Sequence, residues 1–144
     1  MSNWITIVAD DLAGAKIAAF MTTAVANGFN QAEAIADVTA RIRSAVNSGN
    51  VLDADTTKIP QSLKGMAVRM VVALAKAHIE YPLTADEKTL QSDDSGFLRR
   101  IIDEKLKFET PDNPAASAEM QQSTPNPAIA PRHRRFSHRH QEGL

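Results

Sequence analysis

Residues 60–79 read PQSLKGMAVRMVVALAKAHI, and this stretch decides the fold. Pro60 suits the first position of a helix, where its missing N–H leaves no hydrogen bond unmade. Large apolar side chains then fall on nearly every face of the helix: Leu63, Met66, Val68, Met70, Val71, Val72, Leu74 and Ile79. A helix that is apolar all round is packed between other helices. The stretch therefore predicts the central helix of an all-α protein.

A first helix is predicted from Asp10 or Asp11 to Gly28. Either aspartate is a suitable N-cap, because its side chain accepts a hydrogen bond from the free N–H groups at a helix start. The apolar residues that follow at helical spacing are Ala13, Ile17, Phe20, Met21 and Ala24. Gly28 then ends the run, as glycine commonly does after a helix.

A second helix is predicted to begin after Asn30, with Glu33 as the reciprocating acid three residues on. Its apolar stripe consists of Ile35, Val38, Ile42, Ala45 and Val46. The pattern ends at residues 47–49, Asn-Ser-Gly. A single apolar stripe indicates an amphipathic helix, which we expect at the surface of the bundle.

The fourth helical segment is predicted to be split or kinked. Thr84 and Glu87 form a capping-box pattern at its start. Residues 92–96, Ser-Asp-Asp-Ser-Gly, then interrupt the helical pattern. The pattern resumes with Phe97, Leu98, Ile101, Ile102, Leu106 and Phe108. Residues 10–109 are therefore predicted to form one domain, a small four-helix-type bundle with the third helix at its centre.

Residues 1–9 contain the one segment with β character. Trp4-Ile5-Thr6-Ile7-Val8 alternates and is rich in β-branched side chains. Five residues cannot form a sheet alone, so the segment is predicted to be an extended N-terminal arm that pairs with something else.

Residues 110–144 differ in composition from the rest of the chain. They contain five of the seven prolines. Few large apolar side chains are present up to residue 131, so this part cannot bury enough surface to fold and is predicted to be a Pro-rich linker. The tail that follows, residues 132–140, holds four arginines and three histidines.

The composition excludes several functional classes. Sixteen basic and 17 acidic residues leave a net charge of -1, so no whole-molecule field attracts nucleic acid or an anionic membrane. There is no cysteine, which removes disulfides and thiol chemistry. The first residues do not form a signal-peptide pattern, and the longest apolar region, residues 66–79, is too short to span a bilayer. We expect a soluble protein of a reducing cytoplasm, without a membrane partner.

No residue pattern predicts an enzyme, a cofactor or a metal site. The sequence contains no Gly-x-Gly-x-x-Gly, phosphate-binding loop or Gly-x-Ser-x-Gly motif. The pairs Asp53/Asp55 and Asp93/Asp94 lack calcium-loop spacing and are interpreted as turn and cap residues. His78 lies among apolar residues and is interpreted as a core or edge histidine.

The strongest local charge signal is the C-terminal cluster of Arg132, Arg134, Arg135, Phe136 and Arg139. Four arginines around a phenylalanine can bind phosphate backbones, stack on bases or dock on an acidic protein surface. A basic end that is merely solvated is the competing interpretation. The neighbouring histidines do not predict a metal site, because the arginines that flank them repel a bound cation.

Four segments together resemble the head-tail adaptor (connector) family of tailed bacteriophages and Mu-like prophages. They are residues 5–12 (ITIVADDL), the amphipathic second helix, residues 59–67 (IPQSLKGMA) and residues 97–106 (FLRRIIDEKL). The likeness spans residues 4–109, and the Pro-rich basic tail departs from compact members of the family.

The resemblance implies a structural subunit that forms a ring on the portal protein and connects the capsid to the tail. Its partners would be the portal, neighbouring adaptor subunits and the next tail or stopper protein. Its location would be the host cytoplasm before assembly and the head-tail junction of the virion afterwards. We expect the termini to carry these contacts through Trp4, Ile5 and Ile7 in the arm and Arg132, Arg134, Arg135, Phe136 and Arg139 in the tail.

Two alternatives from other classes stay open on the sequence. One is a DNA-binding packaging or regulatory protein, in which a helix-turn-helix reads DNA and the arginine cluster holds phosphates. Against it, the second helix carries only Arg41 and Arg43 as basic residues, and neither connection around it has the short helix-turn-helix form. The other is a small regulatory binding domain of unknown partner.

Overall fold

The computed structural model describes residues 2–116, which form a mostly helical domain with a small two-stranded sheet. The elements in chain order are β1 (Trp4–Thr6), a 3-10 turn (Ala9–Leu12), α1 (Ala15–Ala26), α2 (Gln31–Val46), β2 (Lys58–Pro60), a second 3-10 turn (Gln61–Leu63), α3 (Lys64–His78) and α4 (Ala85–Asp103). The four predicted helical segments are all present. The sheet is the part of the architecture that the all-α prediction misses.

α1 begins later than predicted. Asp10 and Asp11 lie in the first 3-10 turn, and α1 starts only at Ala15. The Asp11 carboxylate accepts a hydrogen bond from the Val8 N–H at 2.9 Å and pairs with Lys64 at 2.5 Å. The hydrogen bonds from Lys64 and Val8 hold the pKa of the Asp11 carboxyl below its usual value. Asp11 therefore fastens the turn to the start of α3 and does not cap α1.

α2 begins where the sequence predicts, with the Asn30 side chain accepting a hydrogen bond from the Glu33 N–H at 3.2 Å. The amphipathic character predicted for α2 is confirmed, since positions 32, 33, 36, 37, 40, 41 and 44 are exposed along one side, but its buried face is larger than expected. Seven of its sixteen residues are buried, against five of fifteen in α3. The reason is that α2 packs against α3, α4 and β2, so its buried face is wider than the apolar stripe in the sequence.

α3 packs against α1, α2 and α4, as a central helix does. Its buried apolar residues are Met66, Ala67, Val71 and Ala75. The expected all-round burial is wrong on one side, because Val68 and Val72 are only half-buried and Leu74 is 38% exposed. This incompletely covered side faces the first half of α4.

α4 is one continuous helix, so the predicted interruption at residues 92–96 is wrong. Its start is the predicted capping box. Thr84 Oγ1 accepts from the Glu87 N–H at 3.2 Å, and Glu87 Oε2 accepts from the Thr84 N–H at 2.8 Å. Serine, aspartate and glycine lower helix propensity but keep the backbone N–H that a proline would remove, so the helix continues through them.

The N-terminal segment is not a free arm. β1 pairs antiparallel with β2, with Trp4 opposite Pro60 and Thr6 opposite Lys58. Trp4 is fully buried, and its Nε1 donates a hydrogen bond to the Glu109 carbonyl at 2.7 Å. The β character predicted for this segment is confirmed. Its availability as an arm is wrong, because the same chain supplies the second strand.

The folded part extends beyond residue 110, where the linker is predicted to begin. Residues 113–115 pair with residues 52–54 through two backbone hydrogen bonds of 2.8 and 2.7 Å. Pro111 is buried. The predicted boundary is therefore several residues too early, because composition does not reveal that a proline has a place in the core. Along residues 2–116, no helix is both long enough and apolar enough to cross a bilayer.

Candidate functional site

A groove lies between α3 and the first half of α4, with α1 and α2 contributing to its floor. It encloses about 410 Å³. Its apolar walls include Val68, Val72 and Leu74 on α3, and Leu83, Leu90 and Leu98 on or just before α4. A concave apolar surface of this volume is typical of sites that bind a small ligand or the apolar face of a peptide.

The groove exists because the first half of α4 (residues 85–96) does not pack onto the rest of the domain. None of these twelve residues is buried. Leu90 is their one large apolar side chain, and it is 45% exposed. In the second half of α4, Ile101 is fully buried and its carbonyl accepts a hydrogen bond from the Ser48 hydroxyl at 3.1 Å. α4 is therefore anchored at its C-terminal end and stands away from α3 at its N-terminal end.

Two ion pairs bridge the groove. Arg69 binds Asp94 through two hydrogen bonds, Nε to Oδ2 at 2.9 Å and Nη2 to Oδ1 at 2.7 Å. Further along α3, Lys76 binds Glu87. The two bases and the two acids are each seven residues apart, which is close to two helical turns, so the antiparallel helices present them in register. The groove wall around Val72 lies between the two pairs.

Lys76 is buried although it carries a charge, with 4% of its surface exposed. Besides binding Glu87, its ammonium lies 4.5 Å from the ring centroid of Phe20 and 5.7 Å from that of Tyr81. The two aromatic rings and the Glu87 carboxylate compensate for the hydration that the ammonium loses on burial. The hydrogen bonds from Lys76 and from the Thr84 N–H hold the pKa of the Glu87 carboxyl below its usual value.

A second buried polar cluster surrounds Arg43 and supports the loop before β2. Its guanidinium donates to the carbonyls of Asp53 (2.8 Å), Asp55 (3.0 Å) and Lys58 (2.6 Å). The same group lies 6.0 Å from the ring centroid of Trp4. All three are bonds to the backbone of the protein itself, so the cluster holds the loop in place.

The acidic residues interpreted from the sequence as turn residues fall into two groups. Asp53 Oδ1 accepts from the Asp55 N–H at 2.9 Å, and Asp55 Oδ1 accepts from the Thr57 N–H at 2.9 Å, so their interpretation as turn residues is confirmed. Asp93 and Asp94 lie inside α4, and their interpretation as loop residues is wrong. Residues 2–116 contain no group of three His, Asp or Glu side chains placed to hold a metal ion.

His78 is an edge histidine, as interpreted from the sequence. It is the last residue of α3, is exposed, and its Nε2 lies 3.0 Å from the Asn27 carbonyl. Its ring is tilted against that of Phe29, with 5.6 Å between centroids. These contacts join the end of α3 to the end of α1, which is a structural role.

The predicted contact residues of the N-terminal segment do not form an exposed site. Trp4 and Ile7 are buried and Ile5 is half-buried, so the N-terminal strand belongs to the core. The predicted contacts Arg132, Arg134, Arg135, Phe136 and Arg139 lie outside the described residues. α2 and α3 are separated by residues 47–63, which contain β2 and a 3-10 turn, so these helices do not form a helix-turn-helix.

Sequence inspection missed the groove, although one signal for it is present. Leu83, just before α4, and Leu90 and Phe97 within it are spaced seven apart, and acids occupy the intervening positions 87 and 94. The bases Arg69 and Lys76 interrupt α3 at the same spacing. When bases recur at one spacing in one apolar helix and acids recur at the same spacing in another, the two helices are predicted to be joined by ion pairs.

A second, shallow depression lies along α1, and we call it the α1 surface. Its lining includes Ala18, Met21 and Val25, and Val25 is strongly exposed. No protein-family model, curated protein or solved structure matches this chain. The groove and this α1 surface are therefore the features of the described residues that bear on function.

Proposed function

We propose that this protein is a structural head-tail adaptor subunit of a tailed bacteriophage or prophage, which forms a ring on the portal and connects the capsid to the tail. One observation carries the proposal: a small helical body has two separate apolar surfaces. The first surrounds the groove, with Leu74, Tyr81 and Leu90 exposed. The second is the α1 surface around Met21 and Val25.

A closed ring of identical subunits needs two different contact surfaces on each subunit, one for each neighbour. The groove and the α1 surface share no lining residue, although α1 and α2 contribute residues to both. The cluster of exposed apolar side chains around the groove favours a protein contact, and the exposed Val25 beside the buried Met21 is the candidate anchor of the second contact. A subunit of this kind requires no catalytic constellation.

The resemblance of residues 4–109 to the adaptor family supplies the identity of the proposed partners, namely the portal and the next tail component. The contact residues, however, have to be assigned differently from the sequence-based expectation. Because Trp4 and Ile7 are buried, we assign the subunit contacts to the helical body. The basic cluster from Arg132 to Arg139 stays a candidate contact with the portal or with DNA.

The test is co-expression with the portal protein of the same genome, followed by purification and negative-stain electron microscopy. A ring of this protein on the portal is the expected result. Val25→Glu places a charge in the α1 surface and should abolish the ring. Ala19→Glu, on an exposed position of the same helix outside that surface, is the matched control and should leave it intact.

Three results would count against the adaptor function. A chain that stays separate from the portal excludes a role at the head-tail junction. A ring that survives Val25→Glu excludes the α1 surface as a contact. Sequence-specific binding to duplex DNA by the free chain, in a gel-shift assay, would favour the regulatory alternative instead.

A further inference from the structure

We propose that the α3 wall of the groove is a docking site for an acidic amphipathic helix of a partner protein, and that the first half of α4 (residues 85–96) covers this site in the free chain. The inference concerns the same groove that the proposed function uses as a subunit contact, but it does not require the adaptor function to be correct. Both the site and its cover are properties of the isolated chain.

The wall without α4 has a distinct chemistry. The residues that α1, α2 and α3 contribute to the groove are apolar except for Arg41, Arg69 and Lys76. No acid from these three helices lines it. An apolar wall that carries only positive charges is complementary to a helix with an apolar face and negative charges.

α4 presents that complementary pattern. Glu87 and Asp94 face Lys76 and Arg69, and Leu90 lies between the two acids. The Lys76 ammonium is almost completely buried, so a helix that displaced Glu87 would have to supply another carboxylate. This requirement selects an acidic occupant. The chain's own basic cluster at residues 132–140 fails it, because its arginines would repel the same wall.

The first half of α4 is held mainly by its two ion pairs, because none of its own side chains is buried. Arg69 is 46% exposed in its pair with Asp94, where ion pairs contribute little stability, so the contact that a competing helix has to replace is the one between the buried Lys76 ammonium and Glu87. Residues 92–96, Ser-Asp-Asp-Ser-Gly, have low helix propensity. A Cβ at Gly96 would meet no atom within 4 Å, so packing does not hold the helix at this point.

The second half of α4 stays in place when the first half moves. Ile101 is fully buried and receives the hydrogen bond from Ser48. Beyond the helix, Asn50 donates to the Leu106 carbonyl at 2.7 Å. We therefore place the hinge at Gly96, the boundary between the exposed and the anchored halves.

The test uses a fluorescein-labelled peptide with the sequence of residues 82–99, which carries the acid and leucine pattern, titrated with the full-length chain and followed by anisotropy. The double variant Glu87→Gln/Asp94→Asn weakens the internal cover. Because apparent affinity scales with the fraction of open molecules, it should bind the peptide about tenfold more tightly than the unmodified chain. Asp86→Asn/Asp93→Asn removes two charges from exposed, unbridged positions of the same segment and should bind like the unmodified chain.

A separate variant tests whether the positive charge of the wall is required. Adding Arg69→Glu to the opened double variant should weaken peptide binding about tenfold, since a wall cation becomes an anion. Equal affinities for the opened variant and its matched control would overturn the proposal, and so would undiminished binding after Arg69→Glu. Dimerisation of the opened variant in analytical ultracentrifugation would overturn the partner assignment and make a second copy the occupant.

Hydrogen exchange on the unmodified chain tests the cover without any substitution. Amides of residues 89–96 should exchange at least about tenfold faster than those of residues 98–103, and faster still in 0.5 M salt, which screens the ion pairs. Uniform, salt-independent protection along α4 would show that its first half does not open, and would overturn the proposal even if the double variant failed to fold.

Discussion

Arg41 and Arg43 stand two residues apart on α2 and have opposite environments. Because successive residues turn 100° around a helix, these two side chains diverge by 200°. Arg41 is exposed at the groove, whereas Arg43 is 9% exposed and donates to three loop carbonyls. The conformation of residues 53–58 therefore depends on one guanidinium.

Replacing Arg43 with Met keeps much of the apolar stem but leaves the carbonyls without their donor. We expect the free energy of unfolding to fall by about 2–4 kcal/mol, because buried acceptors lose their partners. Urea denaturation followed by circular dichroism measures it. Arg41→Met is the matched control and should change the value by less than about 0.5 kcal/mol. Similar values for both variants would mean that the loop does not rest on Arg43.

At the scale of the element, α3 is buried on one side and covered incompletely on the other. Met66 is buried in the core, whereas Leu74 lines the groove. A sequence pattern that is apolar all round describes both sides equally, so only the position of α4 distinguishes them.

This difference within α3 predicts unequal effects of truncation to alanine. Met66→Ala should lower the free energy of unfolding by about 2–5 kcal/mol, as expected for a buried methionine. Leu74→Ala should cost less than about 1 kcal/mol, since a partly exposed side chain loses less burial. Thermal and urea melts of the two variants provide the comparison. A large loss for Leu74→Ala would show that the groove is closed in solution.

The start of α4 should be sensitive to pH through Glu87. Its pKa is lowered in the folded chain, mainly by Lys76, so the pairing stabilises the fold above the usual carboxyl pKa of 4.5 and is lost as pH falls through the lowered value. The melting temperature of the unmodified chain should exceed that of Glu87→Gln between pH 5 and 7. The gap should begin to narrow as pH falls below 4.5 and should close only below the lowered pKa of Glu87.

Asp93→Asn is the control for this pH dependence, because Asp93 is exposed and forms no ion pair with α3 in the described structure. Its melting temperature should follow that of the unmodified chain across the range. A gap between Glu87→Gln and the unmodified chain that does not narrow at all between pH 7 and pH 3 would assign the effect to packing and not to charge.

At the scale of the whole molecule, segments from both ends of the described chain meet the loop between α2 and α3. β1 pairs with β2, the Trp4 indole binds the Glu109 carbonyl, and residues 113–115 pair with residues 52–54. The long connection between α2 and α3 is therefore a structural centre of the domain. It explains why neither end behaves as the expected free arm or as a linker from residue 110.

Truncations test how much the ends contribute. Removing residues 110–144 should cost about 1–3 kcal/mol more than removing residues 117–144, because it also deletes two backbone hydrogen bonds and buried Pro111. Removing residues 2–8 should prevent stable folding, since the chain loses Trp4 and its strand. Urea denaturation of the purified variants measures each effect. Equal stabilities of the two C-terminal truncations would place the domain boundary at residue 110 after all.

Local chemistry predicted the starts of α2 and α4 and the ends of α1 and α2, but it placed the start of α1 too early and the start of α3 at Pro60, which lies in β2. Asn30 with Glu33 and Thr84 with Glu87 form caps in which the partners lie three residues apart, and such bonds need nothing from the rest of the chain. The expected break at residues 92–96 failed for the opposite reason. Weak helix propensity sets a preference, and the flanking turns of α4 outweigh it.

The local sequence was enough to predict the number of helices, the caps of α2 and α4, the β character of residues 4–6 and the turn roles of Asp53 and Asp55, because neighbours within a few residues decide all of them. Only the tertiary structure decided that Trp4 belongs to the core, that Arg43 is buried while Arg41 is not, and that Arg69 and Lys76 meet Asp94 and Glu87 across a groove. These features join residues 10 to more than 100 positions apart. Hydrophobic periodicity records which residues avoid water, but it does not record which distant segment covers them.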